Sequence, residues 1–374
     1  MTAPSKATHP APRRILIVRL SALGDIVMAS GLITALKTLY PHAELSWVCE
    51  AGCVPLLKHN PRLKQVIVWP RGEWQSLLKA KRYVALWRAI RAFRAQLRAE
   101  QFDLVLDGQG LLKSGLIAWL TGAPRRVSII AREGSHRLVH EVATPTPGAD
   151  PVMGSEYRYL AHYLGAPVGS FVHDLAVGAE PQARARSVLQ AARLAARADD
   201  ANAPAARPLV VLAPFTTRPQ KHWVESNWTE LAQALIEHGL QPVVLGGPAD
   251  REAAERICQG LPQLINLAGQ LKLDESVALI ADAQLLIGVD TGLTHMGSAL
   301  RVPTVALFGS TRPYLQGPAA RTRILYDALP CSPCRRRPTC NGAFTCMKQL
   351  TVERVLQAGL GQLALSQPQA EPSA

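Results

Sequence analysis

ILIVRLSALGDIVMASGLITAL, Ile15–Leu36, carries the pattern that decides the fold. Four apolar residues run without a polar break, an Arg-Leu-Ser turn follows, and Gly-Asp then opens a segment of helical spacing. An unbroken apolar run does not suit a strand with one wet face; it needs cover on both, as in a parallel sheet between helix layers. The same unit recurs along the chain. In the first half come ELSWVC (44–49), QVIVW (65–69), LVLD (104–107) and VSII (127–130). In the second half come LVVLAP (209–214), PVVLGG (242–247), LINLAG (264–269), LLIGVD (285–290) and TVALFG (304–309). Each half holds enough runs for one doubly wound α/β domain.

A chain of 374 residues exceeds the roughly 250–300 residues at which single cores stop growing. The expected division is a disordered leader (1–12), a first Rossmann-like domain (13–178), a linker with a helix (179–208), a second Rossmann-like domain (209–353), and a C-terminal helix with a disordered tail (354–374). The linker starts as the helix-forming ARARSVLQAARLAARA and ends in ADDANAPAARP. Two such domains facing a central cleft would place their strand carboxyl ends on it, where α/β sheets bind ligands. No run approaches the roughly 18 apolar residues of a membrane span, and MTAPSKATHPAPRR lacks the apolar core of a secretion signal. A cytoplasmic location is expected.

The net charge is +13, from 41 Lys+Arg against 28 Asp+Glu. Such an excess suits nucleic acid, an anionic membrane or phosphorylated small molecules. Part of it is local: Arg71, Lys79, Lys81, Arg82, Arg88, Arg91, Arg94 and Arg98 face only Glu73 and Glu100. Tyr83, Trp87, Ile90 and Leu97 recur at helical spacing and predict an amphipathic helix that buries them. The arginines then form either a solvated face or a surface for a membrane or anionic partner. A nonenzymatic nucleic-acid module is the distant alternative. The low aromatic content, 5%, and the lack of an RNA-stacking motif argue against it, so no nucleic-acid partner is expected.

Four turns carry candidate chemistry. Asp25 opens the first helix, either as a cap or as a carboxylate able to accept a proton from an attacking hydroxyl. In LVLDGQGLLKSG the third glycine comes two residues late for a dinucleotide fingerprint, and no P-loop Gly-Lys-Ser/Thr follows. Gln109 and Lys113 remain candidates there. GVDTGLTHMGSAL ends a strand at Asp290 and opens a helix at Thr291-Gly292-Leu293-Thr294-His295. Backbone N–H groups at such a start form a phosphate site, or the Asp and Thr simply cap an ordinary turn. APFTTRPQKHW repeats the logic, with Thr216 and Thr217 as donors and Lys221 as a point charge. Two such turns suggest one pyrophosphate held between them. The chain has no Asp-x-Asp tripeptide for a metal-diphosphate, so no obligatory divalent metal is expected; cations and helix dipoles would stabilise the leaving group.

Of seven cysteines, Cys331, Cys334, Cys340 and Cys346 cluster in CSPCRRRPTCNGAFTC. Four clustered thiols in a reducing compartment suit a structural zinc or iron, or a reduced loop without metal.

Together RLSALGDIV, DGQGLLKSG, TTRPQKHW and GVDTGLTHMGSAL make the sequence resemble the bacterial lipopolysaccharide heptosyltransferases, inverting glycosyltransferases of family 9 that use ADP-heptose. The resemblance spans about Arg14 to Glu353. TTRPQKHW and the glutamine-glycine turn are similar to the heptosyltransferase I branch. The cysteine cluster is more similar to heptosyltransferase II and to protein-modifying heptosyltransferases, in which such cysteines can hold iron. The resemblance implies a GT-B fold, with acceptor on the first domain and nucleotide sugar on the second. It implies Asp25 as general base and Thr216, Thr217, Lys221, Asp290, Thr291, Gly292, Leu293 and His295 as donor contacts. Glu252 is the candidate for the ribose, with Asp250 close by. Arg19, Ser21, Gln109, Lys113 and Arg132 are the acceptor candidates. The implied partners are ADP-heptose, an anionic lipopolysaccharide precursor of Kdo-lipid A type, and the cytoplasmic surface of the inner membrane. Heptosylated core, a protein hydroxyl, or epimerisation of a nucleotide sugar are the alternative activities.

Overall fold

The computed structural model describes residues 10–146, 150–197, 207–311, 313–317, 321–334 and 337–365. Most of the expected leader (1–9), the end of the linker (198–206) and the tail (366–374) lie outside the described residues. Two compact units emerge. The first comprises Met1–Ala22, Ala29–Ala149 and Glu156–Val172; the second comprises Leu23–Met28, Asp150–Ser155 and His173–Ala374.

The first unit is built on six parallel strands: β1 (Arg14–Val18), β2 (Glu44–Glu50), β3 (Leu63–Trp69), β4 (Leu104–Asp107), β5 (Arg125–Ile129) and β6 (Glu141–Ala143), in the order β3-β2-β1-β4-β5-β6. Ile15 of β1 lies opposite Leu45 on one side and Leu104 on the other. The strand order reverses between β1 and β4, so the turns leaving these two strands adjoin at the carboxyl edge, the usual ligand position in such sheets. The connecting helices are α1 (Leu23–Ala29), α2 (Gly31–Leu39), α3 (Arg71–Lys79), α4 (Tyr83–Ala99) and α5 (Leu112–Leu120); α6 (Ser155–Tyr163) follows β6. Phe93 and Leu97 of α4 and Ile117, Ala118 and Leu120 of α5 pack in one core with Leu16, Val18 and Val105 of the sheet.

The second unit repeats the plan. Its strands are β7 (Leu209–Ala213), β8 (Gln241–Val244), β9 (Ile265–Asn266), β10 (Leu285–Val289), β11 (Thr304–Phe308) and β12 (Thr322–Tyr326), in the order β12-β11-β10-β7-β8-β9. Here the order reverses between β7 and β10, which brings together the turns after Ala213 and after Val289. Its helices are α7 (Ala179–Arg197), α8 (Glu225–Glu237), α9 (Arg251–Cys258), α10 (Leu273–Ala281), α11 (Gly292–Ala299), α12 (Thr345–Lys348) and α13 (Val352–Ala364). The helix expected in the linker, α7, packs on α10 and is tied there by Arg186, whose guanidinium lies 2.6 Å from Asp282.

Two expectations change. β6 and β12, both sheet edges, have no counterpart among the apolar runs, because an edge strand is half-exposed and carries polar residues such as Glu141 and Arg323. The helix around Trp87 does not bury the expected stripe. Phe93 and Leu97 are buried, but Tyr83 and Trp87 are 61% and 56% exposed. At 100° per residue Tyr83, Trp87 and Arg91 share an outward row, while Leu86, Ile90, Phe93 and Leu97 face the sheet.

Candidate active site

The β7–β10 switch point of the second unit assembles a charged cluster. Asp290 is the first residue past β10, and Lys221 closes the turn after β7. Lys221 Nζ lies 2.5 Å from Asp290 Oδ2, with both side chains largely buried. The Thr311 hydroxyl donates to the same oxygen at 2.5 Å. Asp290 Oδ1 lies 3.2 Å from His295 Nε2, one turn into α11. The far nitrogen of that ring, Nδ1, is 3.2 Å from the Tyr314 hydroxyl, and Tyr314 and Phe308 flank the imidazole. Burial pushes the Asp290 pKa up, but the hydrogen bond and charge of His295, with Lys221, outweigh it and hold the carboxyl well below the usual range. Asp290 is therefore an ionised hub that fixes a lysine, a histidine and a threonine.

The turns are locked by further bonds. Thr216 Oγ1 donates to the Asp290 carbonyl at 3.4 Å, and His222 Nε2 sits 2.9 Å from the Thr216 carbonyl. Thr217 is exposed on the same turn. Thr291 takes the N-cap place of α11 in extended backbone, yet its side chain makes no capping bond. Gly292 and Leu293 begin the helix beside it, half-buried. The N–H groups at the start of α11 thus open beside Lys221, an arrangement that suits phosphate oxygens.

Asp25 joins this unit. Leu23–Met28 packs with the second unit although β1 belongs to the first. A Cβ on Gly24 would come within 2.6 Å of His295 Cδ2, and one on Gly292 within 3.1 Å of the Leu23 Cβ. Two glycines therefore let the Asp25 turn press against the start of α11. A side chain at Gly24 would force the His295 ring or the turn to shift, and one at Gly292 would need Leu23 to give by a few tenths of an ångström. The buried His173 lies near His295; burial and that neighbour lower its pKa to about 4.

The acceptor candidates lie in the first unit, around its own switch point. Arg19 is buried, donates to the Gly108 carbonyl at 3.3 Å and stands 5.8 Å over the Tyr157 ring. Gln109 Oε1 accepts the Leu20 N–H at 3.1 Å, so it braces the β1 turn. Ser21 donates to Glu50 at 3.2 Å, and Lys113 lies 3.9 Å from the same carboxylate. Arg132 is exposed, and its N–H is held by the Gly110 carbonyl. Glu50, which no sequence motif marks, also binds Arg71 at 2.9 Å. Arg71 and Lys113 both lie near the Trp69 ring, at 6.0 and 5.8 Å. Asp107 is buried, accepts the N–H groups of Gln109 and Gly110 at 3.0 Å, and shapes the DGQG turn. Burial raises its pKa against those bonds.

Glu252 lies in the first turn of α9. Its side chain is 90% exposed and pairs with Arg256 along α9. Asp250 lies closer to the end of β8, accepting the Gly247 N–H at 2.7 Å. In the four-cysteine loop the thiols sit near enough to raise one another's pKa, most clearly at Cys346 and Cys334, though burial is the larger cause at both. Cys346 is buried against Gly309, whereas Cys331 is exposed, with Cys334 and Cys340 between them in exposure. Among the described residues no three His, Cys, Asp or Glu side chains are grouped to hold a metal ion.

Residues 90–344 match glycosyltransferase family 9 (heptosyltransferase). The chain belongs to that family. The lipopolysaccharide heptosyltransferase 1 of Pseudomonas aeruginosa is 30% identical to this family 9 glycosyltransferase over 353 residues, covering 91% of this chain and 89% of the relative. The lipopolysaccharide heptosyltransferase 2 of Salmonella typhimurium is 28% identical over 353 residues, covering 92% and 97%. The solved structure of Escherichia coli ADP-heptose lps heptosyltransferase II superposes with a TM-score of 0.73 at 26% identity, covering 94% of this chain and 99% of that one. The α/β class and the two-sheet GT-B composition expected of this family 9 enzyme are those observed. No helix among the described residues is long and apolar enough to cross a membrane.

Proposed function

We propose that this glycosyltransferase moves heptose from ADP-heptose to a hydroxyl of a Kdo-lipid A type acceptor in lipopolysaccharide inner-core assembly, inverting the anomeric carbon. The observation that carries the reading is the Asp290–Lys221–His295 cluster packed, through Gly24, against the turn that bears Asp25. Relatives named for lipopolysaccharide and for ADP-heptose support the substrate classes.

In this reading the diphosphate lies on the N–H groups of α11 and on Lys221, with Thr216 and Thr217 beside it. The acceptor oxygen forms its bond to the anomeric carbon as the carbon–oxygen bond to ADP breaks. Asp25 takes the acceptor proton late in that step. A carboxylate is a weak base, but the hydroxyl acidifies as it attacks a carbon of oxocarbenium character. The negative charge leaves with ADP and is met by Lys221 and the helix dipole. Asp290 is a positioning residue: it neutralises part of Lys221 and aims it. In the first unit, Arg71, Lys113 and Arg132 would meet acceptor phosphates and carboxylates, with Glu50 spacing the first two. The excess of positive charge supports work at the cytoplasmic surface of the inner membrane.

The test is incubation of the purified protein with ADP-heptose and a panel of Kdo-lipid A, heptosylated core and acceptor protein, read by mass spectrometry. Transfer to Kdo-lipid A is expected. Transfer only to heptosylated core or to protein would replace the acceptor and keep the chemistry. Release of an epimerised nucleotide sugar without acceptor would overturn the transfer reading.

A further inference from the structure

The α3–α4 hairpin leaves an outward face that the fold does not use. Leu78, Tyr83, Val84 and Trp87 are 54%, 61%, 66% and 56% exposed, gathered within ten residues of chain around the Ala80–Arg82 turn. Scattered single apolar residues on a surface are ordinary; a contiguous group rimmed by one sign of charge marks a contact surface. Lys79, Lys81, Arg82, Arg88 and Arg91 are exposed among them, and Glu73 is the acidic residue of α3 and α4. Arg91 stacks 4.6 Å over the Trp87 ring. Between the helices runs a groove of about 850 Å³ with Leu77, Ala85 and Ala89 in its wall and Lys81, Arg82 and Arg88 on its rim.

The position of this face follows from the strands. The chain leaving α4 is pinned at the amino edge of the sheet, where the Arg13 and Arg14 N–H groups bind Asp103 and the Arg14 guanidinium binds the Glu100 carbonyl. A helix of 17 residues is about 25 Å long, whereas β4 has four residues. The Tyr83 end of α4 therefore lies at the carboxyl edge, the edge of Ser21, Glu50, Arg71 and Lys113. The neighbouring α5 adds Leu112, Leu116 and Trp119, all exposed and on one row.

We propose that the outer face of α3–α4 docks on an anionic lipid bilayer. Leu78, Tyr83, Val84 and Trp87 enter the headgroup layer, and the lysines and arginines around them meet lipid phosphates. Charge selects this occupant: the rim is basic, while the apolar centre carries the Trp and Tyr that favour a membrane interface. A dimer of this chain would set the same basic rim against itself. The inference rests on the lipid-linked acceptor proposed above, because docking here would present such a molecule beside the acceptor residues of the same sheet.

The test is sedimentation of the full chain with vesicles of phosphatidylethanolamine containing a quarter phosphatidylglycerol, against phosphatidylcholine vesicles. Transfer to a deacylated, water-soluble acceptor is measured in parallel. The variants are Val84→Glu with Trp87→Glu, and Lys81→Glu with Arg88→Glu, all at exposed positions. Wild type should prefer the anionic vesicles and release with salt, and each variant should lose about tenfold or more in binding while its transfer to the soluble acceptor is unchanged. Variants that bind like wild type overturn the proposal, as does equal binding to both vesicles. Tighter retention of single-stranded RNA, or a wild-type dimer that the variants dissociate, also overturns it. Vesicle binding without any transfer would sink the reaction and leave the docking face supported.

Discussion

Lys221 and Asp290, far apart in sequence, meet as a largely buried ion pair at 2.5 Å across the β7–β10 switch point. The pair is shared with His295 and Thr311, so the carboxylate has a partner on each oxygen. Such a pair adds little net stability while intact, yet removing one partner strands the other as an uncompensated charge.

Asp290→Ala should therefore lower stability by about 3 kcal/mol, which is several degrees in the unfolding midpoint for a domain of this size. Lys221→Ala should cost less stability and mainly raise KM for the donor. A double-mutant cycle on thermal unfolding should give a coupling above about 1 kcal/mol; additive losses would mean the pair does not form in solution.

Acid stability should have two separable windows. The folded pKa of His173, about 4, lies below its ordinary 6.5. The unfolded chain binds more protons between these values, so stability rises with pH there, by about 3 kcal/mol in total. The depressed Asp290 carboxyl stabilises the fold above about pH 4, the ordinary aspartate value, and that contribution is lost only as pH falls further. His173→Gln should flatten the unfolding midpoint between pH 6.5 and about 4 and leave the steeper acid fall in place. Asp290→Asn should do the reverse.

Gly24→Ala places a methyl 2.6 Å from the His295 ring. The ring or the Asp25 turn must move, and misplacement by about 1 Å can cost about 100-fold in turnover. Calorimetry should still find ADP bound. Turnover within a factor of about two of wild type would show that the approach of these turns has no part in catalysis.

Glu50→Gln separates acceptor from donor. The carboxylate holds Arg71 and sits near Lys113 at a partly exposed position, so the stability loss should stay below about 1 kcal/mol. Steady-state kinetics should move KM for the anionic acceptor and leave KM for ADP-heptose in place. A change confined to the donor would remove the first unit's switch point from acceptor binding.

Asp250 and Glu252 can be told apart in the same assays. Glu252→Ala deletes an exposed i,i+4 pair worth about 0.3–0.5 kcal/mol and should leave the donor KM unchanged. Asp250→Ala removes the acceptor of the Gly247 N–H and should raise it. The opposite ranking would assign the ribose to Glu252 and not to Asp250.

Ten of the twelve strands coincide with apolar runs in the sequence: the eight central ones, which are covered on both faces and must read as unbroken hydrophobics, and the edges β3 and β9, which keep short apolar runs of their own. The edges β6 and β12 escape that signal because solvent on one side admits Glu141 and Arg323. The switch-point turns were equally legible, because Thr, Gly and Lys after a buried strand are local chemistry. Glu50 was not, since nothing near it in sequence distinguishes it from any charged residue ending a strand.

Two doubly wound sheets, the turns that follow β1, β4, β7 and β10, and the family can all be read from the order of residues alone. All of these are set by periodicity and by residues within a few positions of one another. Which groups meet depends on the folded chain: Lys221 with Asp290, Gly24 with His295, Glu50 with Arg71. Tyr83 and Trp87 face outward for the same reason, because an apolar residue at helical spacing is buried only where something lies beneath it. Helical spacing fixes a row on the helix; the extent of the sheet fixes whether that row is covered.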